Sequence, residues 1–285
     1  MATLEAELAG LDALELAVPP RRSRASRIWS ATWPKLGAAA IALLFWQIVV
    51  WSGWKPEFLL PAPATVFKAL FTNLGDYVSA SATTLQRAVI GFAIAVVIGT
   101  FIGAVVTRSR VLRSAVGSMV TGLMTMPSIA WFPMAIVLFG LKESAILFVI
   151  VIGAAPSVAN GFIAGVDNTP PVLIRAAHML GAKGWTNFRH VVLPAALPTY
   201  IGGLKQGWAF AWRSLLAGEL LVQIAGKSSL GRDLDTARQL PDFPAMYATM
   251  VVIFVIGVLV DSLVFGKAER AIRKRYGLID AAAAD

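Results

Sequence analysis

The chain contains no cysteine, which excludes disulfides, thiolate metal sites and thiol nucleophiles. It has only two histidines, His178 and His190, too few for an all-histidine metal site. Charge is scarce as well: 14% of the 285 residues are charged, against about 25% in an ordinary soluble domain. No basic patch is interleaved with aromatics, so the net charge of +9 does not point to nucleic acid. No Gly-x-x-x-x-Gly-Lys-Ser/Thr phosphate loop occurs. Gly226-Lys227-Ser228-Ser229 carries Gly-Lys-Ser, but the earlier glycine is missing at the required spacing. No internal repeat stands out, and no Ser/His/Asp set or carboxylate pair lies in an apolar run, so an enzyme active site is not expected. Met1 to Leu16 carries Glu5, Glu7, Asp12 and Glu15, unlike the basic start of a cleavable signal peptide.

What is there is apolar residue: 57% of the chain is hydrophobic and the mean hydropathy is +0.71. These values predict a multi-span, all-α membrane protein, and the nine Trp suit its two interfaces. Six runs approach the ~20 apolar residues a spanning helix needs: 37–51, 88–106, 115–141, 144–166, 197–224 and 245–265. The third is overlong and holds Pro127 and Pro133, so it should kink or break. Gly99-x-x-x-Gly103 in the second is a close-packing signal between helices. Arg87 reads as an interfacial residue at the edge of that run.

With the N-terminus placed inside, sixteen of the 25 Lys and Arg fall on the cytoplasmic side, six outside, and Arg87, Lys205 and Arg213 in or beside spans. This bias predicts cytoplasmic termini. The expected organisation is an N-terminal tail (1–35), a six-helix domain (36–266) with a cytoplasmic loop at 167–193, and a C-terminal tail (267–285). Leu4, Leu8 and Leu11 share a face, so the tail begins either as a short amphipathic helix or as a disordered segment. Pro19, Pro20 and the basic run after them read as a linker.

The informative loop runs from Pro170 to Pro194. Asn168 or Thr169 can cap a helix with proline in its first turn, and Gly181 can stop it. Leu173, Ala176, Ala177 and Leu180 make one small apolar face. That face suits a groove on another protein, and the plainer reading is an ordinary connection. In the fifth run, Lys205, Trp208, Trp212 and Glu219 share a face at 100° per residue, with Arg213 beside it. It reads as pore lining or as a seam between subunits. The alternative is that Lys205 snorkels to one interface while Glu219 lies near the other. Trp131 reads equally as a pathway or an interfacial aromatic.

The loop resembles the EAA loop of ABC-importer permeases: Glu-Ala-Ala, three residues, Gly, nine residues, an aliphatic residue, any residue, Leu and Pro. Here Ala176-Ala177, Gly181, Val191, Leu193 and Pro194 hold that spacing, and Arg175 stands where the family usually has Glu. Leu59-Leu60-Pro61-Ala62-Pro63, Trp131-Phe132-Pro133 with Phe139-Gly140, and Leu193-Pro194-Ala195-Ala196-Leu197-Pro198 resemble the nitrate, sulfonate, taurine and bicarbonate branch. The resemblance covers roughly residues 36 to 275. It implies a type I ABC importer permease fold with coupling through Arg175, Ala176, Ala177, Gly181, Ala182, Leu193 and Pro194. It also implies a homodimer in the bacterial inner membrane, a pair of separate ATPase subunits that bind ATP and Mg, and an extracytoplasmic solute-binding protein. This chain itself would bind no cofactor. The solute would be a small anion, an aliphatic sulfonate first. An ion-coupled secondary transporter, the main alternative, would need paired intramembrane carboxylates or inverted repeats, and neither is legible in the sequence.

Overall fold

The computed structural model describes residues 24–224 and 226–276, and these contain helices and no strand. The chain divides into two compact units, Met1–Pro63 and Ala64–Asp285. The first holds α1 (Arg24–Trp51), whose Thr32–Trp51 stretch is long and apolar enough to cross a membrane. Helix therefore already begins within the basic run that the sequence read as a linker. The proposed helix at Leu4 to Leu11 and the end of the C-terminal tail lie outside the described residues.

The second unit carries α2 (Pro63–Thr72), α3 (Leu74–Val106), α4 (Arg110–Thr125), a 3-10 turn (Ser128–Trp131), α5 (Phe132–Phe139) and α6 (Glu143–Asp167). There follow α7 (Pro171–Met179), α8 (Gly184–Asn187), a π turn (Phe188–Val192) and α9 (Leu193–Leu221). The unit ends with α10 (Leu230–Gln239), α11 (Phe243–Val260), a second π turn (Asp261–Phe265) and α12 (Gly266–Arg275).

Helix α6 is the spine of this unit, packed between α3 and α9. Small residues allow the approach. A Cβ added to Gly161 would lie 2.5 Å from Gly203 Cα, and one added to Gly99 would lie 2.5 Å from Ala155 O. Such gaps leave no room for any side chain, so backbone meets backbone across α6–α9 and α3–α6. The Gly99-x-x-x-Gly103 signal thus marks the face of α3 that rests on α6.

Three expected spans change shape. Helix α3 starts at Leu74 rather than near Ala88 and takes Arg87 into its interior. The third run is broken outright: its two halves, Val111–Thr125 and Ser128–Phe139, meet at 100°. Pro127 accounts for this, because it has no N–H to donate and forces Met126 out of the helical region, to φ −78° and ψ 127°. Helix α9 begins at Leu193, four residues early, because the π turn feeds directly into it and Pro194 falls in its first turn, where a proline is tolerated.

Against the expected six spans, four helices among the described residues are long and apolar enough to cross, or five if the bent pair is one span. Helix α9 is long enough at 29 residues, but it is not apolar enough. It carries Lys205, Arg213 and Glu219.

The α6–α9 contact gives a direct prediction. Gly203→Val must push the Gly161 backbone away, and overpacking of this kind costs roughly 1–3 kcal/mol. Gly202→Ala, with nothing within 4 Å of its added Cβ, should be neutral. Thermal unfolding in detergent should separate the two variants.

Candidate translocation pathway and coupling loop

Helix α7 opens with Pro171 in its first turn, after Pro170 in extended conformation. It closes on Gly181, whose φ of +82° is the left-handed conformation glycine adopts without strain. Gly181 N–H donates to His178 O at 3.1 Å and Ala182 N–H to Ala177 O at 2.9 Å, which together form a Schellman cap. Space beside Gly181 is open. Its requirement is therefore the backbone angle and not close approach.

The short helix displays its apolar side outward. Leu180 is 88% exposed, and Val172, Leu173, Ala176 and Met179 are exposed with it. Ala177 is buried, so the expected face is corrected by one residue: Ala177 packs inward, while Val172 and Met179 join the outer stripe. Arg175 is exposed and Ala182 half-buried. Trp185 stacks on Phe188 at 5.5 Å just before the π turn. Leu193 and Pro194 then open α9, so the loop is continuous with that helix. At the same end, Arg113 Nη1 lies 2.7 Å from Asp167 Oδ1 and ties α4 to the end of α6.

The far end of α9 holds a buried ion pair. Glu219 is 1% exposed and accepts from Arg87 Nη1 at 2.8 Å. Thr84 Oγ1 lies 3.0 Å from the second carboxylate oxygen, and Gly231 N–H donates to the same oxygen at 3.1 Å. Thr84 in turn accepts from Leu230 N–H at 3.0 Å. Glu143, at the start of α6, joins Arg87 Nη2 at 3.3 Å to Lys227 Nζ at 2.6 Å. The network ties α3, α6, α9 and α10 together at the end of α6 remote from the 167–193 loop. Arg87, expected at an interface, is instead 6% exposed within it. The sequence reading missed Thr84 and Glu143. The available signal was a cation at the edge of the second apolar run and an anion within the fifth.

The shared face of α9 turns into the chain's own interior. Trp208 and Trp212 are buried and stacked at 6.3 Å, with Phe92 edge-on to Trp208 at 5.3 Å. Lys205, half-buried, pairs with Asp261 at 3.3 Å. Trp131, in the 3-10 turn, packs on the same core. The pathway reading of Trp208, Trp212 and Glu219 is therefore corrected: a face filled by side chains of its own chain offers no surface to a solute. Arg213 is different. It is exposed, and its guanidinium carbon lies 5.9 Å from the Phe210 ring centroid. It borders a cavity of about 410 Å³ at the break between α4 and α5, lined also by Met126, Pro127, Ile129, Phe210 and Ala217. Ser214 Oγ, 2.7 Å from Ser128 Oγ, pins α9 to the break.

The family model for the binding-protein-dependent transport system inner membrane component matches residues 95–273. A probable ABC transporter permease protein of Brucella melitensis is 31% identical over 226 residues, 79% of this chain and 89% of that protein. The chain belongs to this family of inner membrane transport components. It is a multi-pass permease subunit and not an enzyme. The taurine transport system permease protein of Escherichia coli is 28% identical, covering 79% of this permease and 84% of its own length. The riboflavin transport system permease protein of Chloroflexus aurantiacus is 31% identical with the same coverage. The fold of this permease is that of the MetNI methionine ABC transporter, with a TM-score of 0.60 at 20% identity, covering 70% of this chain and 98% of that one.

The buried pair makes a stability prediction. Arg87→Met leaves the buried Glu219 without its cation, a loss on the order of 3–5 kcal/mol. Monodisperse protein on gel filtration should largely disappear. Arg87→Met combined with Glu219→Leu should recover much of it, since an apolar pair replaces the charges.

Proposed function

We propose that this permease forms a homodimeric channel for a small organic anion and is driven by separate ATP-hydrolysing subunits. The observation that carries the anion reading is Arg213: an exposed guanidinium, without a carboxylate partner among the described residues, on a cavity where a spanning helix is broken. Charges within a span are costly and usually mark a solute path. The aliphatic sulfonate permeases among its relatives support an anion, and the taurine and riboflavin permeases widen the range of solutes. Ion coupling is disfavoured because Glu219 and Asp261 are each committed to a cation.

The 167–193 loop is the seat of the ATPase. Its outward stripe of Val172, Leu173, Ala176, Met179 and Leu180 would sit in a groove on that subunit, which holds ATP and Mg, while an extracytoplasmic binding protein delivers the solute. Helix α9 counts as the sixth span, and both termini are cytoplasmic. Closure of the two ATPase subunits would press the loops, and α9 would carry that movement to Arg213.

Three measurements test this reading. Single cysteines at Lys183 and Ser228 should label from opposite sides of the membrane, and labelling of both from outside contradicts the topology. Ala176→Glu, on the exposed stripe, should leave the protein folded but separate ATP hydrolysis from uptake. Arg213→Gln should lower uptake about 10- to 100-fold, as expected for loss of a charge-assisted hydrogen bond. Full uptake by Arg213→Gln, with normal assembly, removes Arg213 from the pathway.

A further inference from the structure

We infer that α12 carries a binding site for an acidic phospholipid, built from Lys267, Arg270 and Lys274. The site is separate from the Arg213 cavity and does not depend on how that cavity is read. Spacing is the first observation. The three cations stand at i, i+3 and i+7, within about 60° of one another around the helix axis. All are exposed, and none pairs with a carboxylate among the described residues. Like charges so placed on a helix repel, and an anion from outside the chain relieves that repulsion. Arg270 Nε donates to Gly266 O at 3.0 Å, which draws the guanidinium back toward α11.

The second observation is sidedness. Helix α12 rests on α9, and its half-buried residues Ala268, Glu269 and Ile272 lie roughly opposite the three cations. Arg273 is turned away from them and pairs with Glu269 at 3.5 Å. Arg275 stands about 100° round from Lys274. Depth is the third. Phe243–Arg275 is a helical stretch of 33 residues, about 50 Å long, whereas a bilayer measures about 40–45 Å with its headgroups. The last turns therefore stand in the headgroup layer of one leaflet. Leu263 and Val264, exposed one turn before Lys267, meet acyl chains there. A phosphodiester can then take the Arg270 fork between two lysines while its chains lie on Leu263 and Val264. A zwitterionic lipid brings an ammonium against the same cations and gains less.

Each basic residue near an anionic surface is worth about fivefold, so three together are worth about a hundredfold. Orientation of a span depends on how many cations flank it, whereas a lipid site depends on where they stand. The full-length permease, immobilised in detergent, should be equilibrated with equal amounts of phosphatidylglycerol and phosphatidylcholine of identical chains, and the retained ratio measured. At least tenfold preference for phosphatidylglycerol is expected, falling to within about threefold in Lys267→Gln/Arg270→Gln/Lys274→Gln. Arg273→Gln should change the ratio less than twofold. The unmutated permease supplies a check that needs no variant: its preference should largely vanish at about 1 M salt, where screening reaches about 3 Å. No preference in the unmutated protein, a preference that survives salt, or an equal loss in Arg273→Gln would each overturn the inference. So would a triple variant that keeps its phosphatidylglycerol but no longer purifies with the ATPase subunit, which assigns these cations to a protein contact.

Discussion

The rotational setting of α9 depends on one contact, the ion pair between Glu219 and Arg87. A carboxylate at 1% exposure in an apolar bundle has to meet a cation, and Arg87 lies 2.8 Å away on α3. Once Glu219 points inward, the rest of the helix follows. Leu215, Trp212 and Trp208 stack beneath it into the core. Arg213, six residues away, comes out about 120° around the axis. It therefore faces the broken span and not the core. Buried charge fixes the helix, and the fixed helix leaves one cation uncovered.

The second constraint is close approach. Backbone contact between Gly161 and Gly203 holds α6 and α9 as one body, and Gly99 brings α3 to the same spine. The 167–193 loop joins α6 to α9, so a force applied there acts on that body. From Leu193 to Arg213 is twenty residues, or about 30 Å of continuous helix. A helix of that length can carry a displacement from the loop to the cavity, with Pro198, which removes one backbone hydrogen bond, as the point where it can bend.

Much of this was legible in the sequence, for identifiable reasons. The break at Pro127 and the stop at Gly181 each follow from a local rule, and each appears in the structure, while four of the six expected runs, or five with the bent pair, are helices apolar enough to cross. The shared face of Lys205, Trp208, Trp212 and Glu219 was also read correctly as a face. What it faces was not legible. Periodicity gives the relative angle of side chains but not the zero of rotation, which is set by a partner 132 residues away in sequence. The same gap hid Arg87, whose charge read as a span boundary because its neutralising partner lies on another helix. Ala177 shows the limit at small scale: two adjacent alanines look alike in sequence, yet one packs inward and the other faces out.

The rotation of α9 can be tested directly, because the chain has no cysteine to interfere. Single cysteines at Phe210, Ala217 and Leu215 in the assembled transporter should be challenged with a charged, water-soluble thiol reagent. Phe210 and Ala217 line the Arg213 cavity, whereas Leu215 is fully buried on the Glu219 side. The account predicts rapid labelling at 210 and 217 and none at 215. Labelling at 215 with protection at 210 and 217 would contradict it, because the core face and the cavity face would then be exchanged.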